Sequence, residues 1–275
     1  MDISEVKAKI ETELKIQGKS KATIKMYCYY NKKFLEYIKK EAAQVTTDDI
    51  KKFLASLLSK GNDPGSVALA RSSLKYFYDE ILEKNLMSRI KTPKKQRRIP
   101  EVLTREEIRL LIDNAGSLRN KLLLEFMYAS GLRVAECANL KVRDLNMEEK
   151  TGLLKSGKGG KDRFFILSDA LVKDLRIYFE QKQDDGVYIF PGTDGPLTTR
   201  AIQDVIKRIA KRTGIKKKVY CHGLRHAFAT HLLEAGTGIR LIQELLAHSN
   251  LQTTQFYTQV SKEQLKKVKS PLDEI

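Results

Sequence analysis

The sequence predicts a mainly helical protein of the α+β class, with two domains and one small three-stranded antiparallel sheet in the second. Three observations carry this prediction. Apolar residues recur at helical spacing throughout residues 1–90, a basic stretch with a proline then breaks the pattern, and between about 141 and 168 the period shortens to that of strands. A chain of 275 residues is long enough for two domains that each bury a core.

Four helices account for the predicted first domain, residues 1–90. They are expected at about residues 3–17, 22–40, 47–59 and 66–83. Gly18 ends the first helix, and Thr47 is the expected N-cap of the third. In the fourth helix, Leu69 is among the apolar residues expected to face inward.

Residues 91–101 form a predicted basic linker. Its first eight residues hold five positive charges, a proline and no acid. Such a run is consistent with an ordinary solvated segment, and equally with a linker that contacts DNA. The formal net charge of +17 is divided among the first domain (+5), the linker (+4) and the remainder (+8). A positive field of this size attracts polyanions, most commonly nucleic acid, although an anionic membrane surface or plain solubility would also explain it.

The predicted second domain, residues 102–275, opens with a capping box formed by Thr104 and Glu107. Helices are expected at about residues 105–115, 118–129, 169–181, 198–213 and 222–235, and they continue to the end of the chain. The three strands are expected near residues 142–145, 151–156 and 163–167. A glycine-rich turn that contains a lysine, residues 157–160, joins the last two strands.

The cysteines and the apolar runs indicate a cytoplasmic protein. Cys28, Cys137 and Cys221 lie far apart without metal-ligand spacing, which favours a reducing compartment and no metal site. Residues 1–20 are polar and acidic in part, so they do not resemble a signal peptide. Apolar runs fall short of the roughly 18 residues that cross a membrane, so no membrane partner is expected.

Six residues form the candidate catalytic set. They are Arg133, Lys158, His222, Arg225, His248 and Tyr257. Two arginines can hold the non-bridging oxygens of one phosphodiester and stabilise the charge of a pentavalent transition state. A histidine can manage the proton of the attacking hydroxyl, a lysine can protonate the leaving oxygen, and a tyrosine can be the nucleophile. No step needs a metal or a cofactor.

Each of these residues also has an ordinary structural explanation. Arg133 could be a surface arginine, Lys158 an exposed hairpin residue, His248 a buried histidine and Tyr257 part of a core. The histidine and arginine at 222 and 225 could be a helix cap and a salt-bridge partner. The order and the spacing of the set, with Tyr257 nine residues after His248, favour the chemical interpretation.

In this order and spacing the sequence resembles the tyrosine recombinase/integrase family, and within it the Xer-type recombinases. Arg133 lies in SGLRVAE, Lys158 in SGKGGK, His222 and Arg225 in HGLRHAFATH, His248 in LLAHS and Tyr257 in TTQFYT. Two departures are small. Ala247 replaces a glycine that the family usually has before the last histidine, and Cys221 stands where proline or threonine is more usual. Lys161 is a weaker alternative to Lys158.

The resemblance implies an N-terminal helical SAM-like core-binding domain followed by a catalytic domain. It implies that Tyr257 attacks the scissile phosphate and leaves a 3′-phosphotyrosyl link and a free 5′-hydroxyl. It further implies that four protomers act on two double-stranded DNA sites through a Holliday junction, with an accessory regulatory protein as a possible partner. Chromosome dimer resolution is the expected role.

Three alternatives stay open from the residues alone. They are an integrase of a phage or mobile element, a type IB topoisomerase, and a non-catalytic architectural DNA-binding protein. Binding alone would need neither Tyr257 nor Lys158, which argues against the last of these.

Overall fold

The computed structural model describes residues 1–88, 90–91, 101–155, 162–182 and 186–246. They belong to two compact units, Met1–Arg98 and Ile99–Ile275. Both units are mostly helical and the second contains a three-stranded antiparallel sheet, so the predicted fold class is confirmed. Among the described residues, no helix combines the length and the apolar character needed to cross a membrane.

The first unit is built from four α-helices. They are α1 (Ile3–Ile16), α2 (Lys21–Ile38), α3 (Thr47–Ser59) and α4 (Pro64–Lys75), with a short 3₁₀ turn at Ala42–Gln44. Helix α2 packs against the other three. Helix α4 continues as a π-helical turn, Tyr76–Ile81, which inserts three aromatic side chains into the core. The core is therefore rich in aromatic contacts, such as Phe34 with Phe53 at 5.2 Å between ring centroids.

Two details of the first unit differ from the sequence prediction. The N-cap of α3 is Thr46, not Thr47, because Thr46 forms a capping box with Asp49. Hydrogen bonds from Lys40 and Thr46 lower the pKa of Asp49 to about 2, so the carboxylate of the capping box stays ionised. Leu69 is 37% exposed rather than inward, since the helix begins at Pro64 and turns its neighbours Val67 and Ala70 into the core.

The second unit contains seven α-helices and two small sheets within the described residues. The helices are α5 (Arg105–Asp113), α6 (Leu118–Ala129), α7 (Val134–Ala138), α8 (Asp169–Gln181), α9 (Thr199–Thr213), α10 (Cys221–Glu234) and α11 (Ile239–Leu246). The strands are β1 (Leu145–Asn146), β2 (Thr151–Leu154), β3 (Arg163–Ile166), β4 (Pro191–Gly192) and β5 (Gly195–Pro196).

Helices α6 and α10 form the centre of this unit. Each is buried around most of its circumference, and they pack against one another. Helix α6 also contacts α5, α7, α8 and α9. The end of α6 and the start of α10 therefore have fixed positions, and most of the predicted catalytic residues that the structure describes lie there.

The three-stranded sheet has the order β1-β2-β3, with Leu154 opposite Arg163 and Gly152 opposite Phe165. A β-carbon at Gly152 would lie 2.1 Å from the Phe165 ring, so only glycine lets that ring cover the strand. The first predicted strand is shorter than expected, because residues 142–144 form a 3₁₀ turn and pairing begins at Leu145. The hairpin of β4 and β5 was not predicted.

Candidate active site

A tight turn between α6 and α7 presents the first predicted arginine. Gly131 has a φ of +60°, and a β-carbon there would lie 2.5 Å from the Phe228 ring of α10. Ser130 Oγ donates a hydrogen bond of 2.6 Å to the Ile166 carbonyl, which ties the turn to β3. Glycine is thus required by both its backbone angle and its surroundings, and the turn is held between α10 and the sheet.

Arg133 occupies the N-cap position of α7, and its main partner is Glu136, one turn into the same helix. Arg133 Nη1 lies 2.5 Å from Glu136 Oε1, and the Arg133 backbone N–H donates to Oε2 at 2.8 Å. Arg133 Nη2 reaches the Leu246 carbonyl at the end of α11, at 3.3 Å. The side chain keeps 29% of its surface exposed, so it is only partly buried.

Arg225, on the first turn of α10, is brought to the same place from the opposite side. Its Nη1 donates to the Gly131 carbonyl at 2.6 Å and lies 3.7 Å from Glu136 Oε2. Its Nη2 donates to the Leu246 carbonyl. Only 1% of the residue is exposed, so this arginine is buried beneath the end of α11.

A third arginine, Arg163 at the start of β3, completes the cluster. Its Nη2 lies 2.5 Å from Glu136 Oε2, and its Nη1 donates to the Leu245 carbonyl. Burial raises the pKa of Glu136, but Arg163 and Arg133 lower it further than that, so its pKa is below the ordinary value and the carboxylate is ionised. We call Arg133, Glu136, Arg163 and Arg225 the arginine cluster.

His222 lies three residues before Arg225 on the exposed side of α10. Partial burial, followed by the positive charges of Arg225 and Arg133, lowers the pKa of His222. Its ring contacts that of His226 at 4.2 Å between centroids. Burial and the charge of His222 lower the pKa of His226 to about 4. Both imidazoles are therefore neutral at neutral pH, and a neutral imidazole can accept a proton.

The structure brings three of the six predicted catalytic residues together. Arg133 and Arg225 contact one carboxylate, and the positive charges of both arginines lower the pKa of the neighbouring His222. Lys158, His248 and Tyr257 lie outside the described residues, as does Lys161.

Sequence reasoning gave no role to Glu136 or Arg163. Glu136 follows Arg133 by three residues at a helix start, which is the spacing of a capping box and was a usable signal. Arg163 had no such signal, because its partners Glu136 and Leu245 are distant in the chain.

The arginine cluster carries three positive charges and one negative charge, and it is partly shielded from water. Such a group can bind one phosphodiester and accommodate the second negative charge of a phosphorane. A neutral histidine beside it can take the proton of an attacking hydroxyl. This is the chemistry of phosphoryl transfer with the protein's own residues.

Comparison with protein families gives two matches that together cover most of the chain. Residues 101–264 match the Phage integrase family, and residues 8–88 match the N-terminal SAM-like domain of phage integrases.

Individual proteins similar to this chain are tyrosine recombinases. The tyrosine recombinase XerA of Pyrococcus horikoshii is 39% identical over 268 residues, which cover 96% of this chain and 92% of the relative. The tyrosine recombinase XerD of Listeria monocytogenes is 35% identical over 277 residues, covering 92% of each chain.

Two solved structures share the fold. The crystal structure of a XerA recombinase covers 97% of both chains with a TM-score of 0.57 and 31% identity. The structure of the XerH recombinase bound to its palindromic difH substrate has a TM-score of 0.78 at 23% identity, and covers 97% of this chain and 83% of that one.

Proposed function

The chain belongs to the phage integrase family of tyrosine recombinases, and from this premise we propose that it is a Xer-type recombinase that resolves chromosome dimers at a specific DNA site. Enzymes of this family cut and rejoin DNA by transesterification on a tyrosine. The observation that carries the assignment of the site is the arginine cluster, in which arginines from α7 and α10 share one carboxylate beside a neutral histidine.

The proposed cleavage step is a phosphoryl transfer to Tyr257. The phenolic oxygen of Tyr257 attacks the scissile phosphorus, the bond from phosphorus to the 5′ oxygen breaks, and a 3′-phosphotyrosyl bond forms. His222 takes the phenolic proton, and Lys158 supplies a proton to the departing 5′ oxygen. Arg133, Arg225 and His248 hold the phosphate and stabilise the phosphorane.

Strand exchange reverses this step on a second duplex. The 5′-hydroxyl of the partner DNA attacks the phosphotyrosyl bond, releases Tyr257 and creates a Holliday junction. We propose that four protomers act on two sites, that an accessory protein controls the order of cleavage, and that the reaction occurs in the cytoplasm on chromosomal DNA.

The test is a nicked suicide substrate that carries the recombination site, located beforehand by footprinting with the native protein. The native protein should produce a slowly migrating DNA band that protease removes, and the band should still form in EDTA. Tyr257→Phe should bind the same DNA without forming the adduct, because it lacks the nucleophilic oxygen. Adduct formation by Tyr257→Phe, or a strict need for magnesium, would contradict the proposal.

A further inference from the structure

Arg163 links its own strand to two other elements of the proposed active site and is none of the predicted catalytic residues. It starts β3, holds Glu136 of α7 and donates to the last turn of α11. We propose that Arg163 is a positioning residue for strand cleavage, which keeps the Glu136 carboxylate and the end of α11 aligned with Arg133 and Arg225. This inference rests on the proposed function.

Glu136 Oε2 has two close donors and one more distant guanidinium. Glu136 Oε2 accepts from Arg163 Nη2 at 2.5 Å and from the Arg133 backbone at 2.8 Å, while Arg225 Nη1 stays 3.7 Å away. With Arg163 in place, the carboxylate is directed toward α7 and β3. Without Arg163, Oε2 could close its 3.7 Å separation from Arg225 Nη1 to a hydrogen bond, and that carboxylate would then compete with the DNA phosphate for the guanidinium.

Arg163 also adds a positive charge to the arginine cluster. The cluster has a net charge of two positive units with Arg163 and one without it. A phosphodiester carries one negative charge, whereas the phosphorane that forms from it carries two. A buried charge near a developing charge acts with little screening, so the loss of Arg163 weakens transition-state stabilisation more than ground-state binding. Arg163 is 6% exposed and does not need to touch DNA to have this effect.

Arg163 is also close in the chain to one proposed catalytic residue and holds a segment close to another. Arg163 follows Lys158 by five residues in the chain, and Leu245, whose carbonyl it holds, precedes His248 by three. Strand β3 is joined to the turn before Arg133 by the hydrogen bond from Ser130 to Ile166. One guanidinium thus joins β3 to α7 and to the end of α11, and these elements are next in the chain to three of the proposed catalytic residues. A planar fork presents two separate donor nitrogens to the two acceptors, whereas a lysine presents all its donors from one nitrogen on a flexible stem.

The experiment compares Arg163→Met and Arg163→Lys with the native protein on the nicked site. Arg176→Met is the control, because it removes one exposed arginine from α8. We measure the Kd for site DNA and the single-turnover rate of adduct formation. Arg163→Met should cleave about 100-fold more slowly, as a misplaced catalytic group does. Its Kd should stay within about threefold of the control's, which identifies an interaction made in the transition state.

Arg163→Lys should fall between the native protein and Arg163→Met, because it restores the charge but not the second contact. In a Glu136→Gln background, the effect of Arg163→Met should shrink to less than about tenfold, since the two residues act through one contact. A purely structural role would give no rescue by lysine.

The outcomes separate the two proposals. If the native protein forms no adduct on the site, the proposed function fails. If the native protein forms it and Arg163→Met does so at an equal rate, only the role of Arg163 fails. The role also fails if Arg163→Lys is no faster than Arg163→Met, or if both variants lose the helical circular dichroism and the cooperative unfolding of the native protein.

Discussion

Glu125, a carboxyl in the core of the second unit, makes the stability of the fold depend on pH. Burial and the neighbouring Asp174 raise the pKa of Glu125 to about 8. The folded protein therefore keeps a proton that the unfolded chain releases near its ordinary pKa. This contribution to stability is fully present below about pH 4.5 and is lost as the pH rises to 8, at no more than about 1.4 kcal/mol per pH unit.

Glu125→Gln should remove this dependence, because glutamine resembles the protonated side chain. We expect an unfolding midpoint close to that of the native protein at pH 5 and several degrees higher at pH 9. Glu180→Gln changes an exposed glutamate on α8 and serves as the control, with no such gain at pH 9. The test is thermal unfolding of the three proteins at pH 5, 7 and 9. If the unfolding midpoint changes equally with pH in all three, Glu125 is not the source of the pH dependence.

Individual residues also show how far sequence reasoning reaches in the site. Arg133, His222 and Arg225 could be selected from local motifs, and the structure places all three around one centre. Arg163 could not, since nothing in its local sequence predicts a contact with Leu245, 82 residues away. Partners that are close in space but distant in the chain are determined by packing, which periodicity does not record.

At the level of elements, the Gly131 turn connects the central helix α6 to the candidate active site. Gly131→Ala would force a β-carbon into the Phe228 ring at 2.5 Å, in a backbone conformation that alanine disfavours. We expect a loss of about 2 kcal/mol or more in the free energy of unfolding, because the steric clash adds to the cost of the positive φ. Adduct formation should fall as well, since the Gly131 carbonyl holds Arg225.

Gly214→Ala is the matched control for this change. Gly214 ends α9 with a φ of +66°, and nothing lies within 4 Å of a β-carbon built there. The Gly214→Ala variant should lose only the conformational part of the free energy of unfolding, about 1 kcal/mol, and should cleave DNA like the native protein. Urea unfolding and the adduct assay measure both quantities, and equal losses for the two variants would show that the contact with Phe228 is unimportant.

The elements themselves were predictable where a pattern was long and regular. The long helices of both units and the order of the three strands follow from periodicity, capping residues and the glycine turn. Short features were not. The N-cap at Thr46 differs from the prediction by one residue because two threonines are adjacent, and the hairpin of β4 and β5 has only two residues in each strand. Such pieces are stabilised by tertiary contacts more than by local preference.

At the scale of the whole molecule, the positive charge is the property that relates most directly to DNA. The +17 net charge is divided among residues 1–90, the predicted basic linker at residues 91–101, and residues 102–275. Lysines and arginines that neutralise phosphates release counterions, so affinity should fall steeply with salt. For six to ten phosphate contacts, the expected loss is about 10³- to 10⁵-fold between 50 and 200 mM salt.

The linker's share of this effect can be measured separately. Four of its basic residues are changed to glutamine, namely Lys94, Lys95, Arg97 and Arg98. If the linker contacts DNA, the slope of log affinity against log salt should become shallower by up to about 3 to 4, because each lost phosphate contact removes about 0.9. Fluorescence anisotropy with site DNA at several salt concentrations gives the slope.

The control removes the same charge from lysines that already have acidic partners. Each of these lysines forms an ion pair in the first unit: Lys7, Lys15, Lys32 and Lys51. Changing them to glutamine lowers the net charge by four without touching the linker. If the linker contacts DNA directly, the slope of log affinity against log salt becomes shallower by more in the linker variant than in the control variant. If the two variants lose equal slope, the linker acts only through the general positive field, and the contact is disproved.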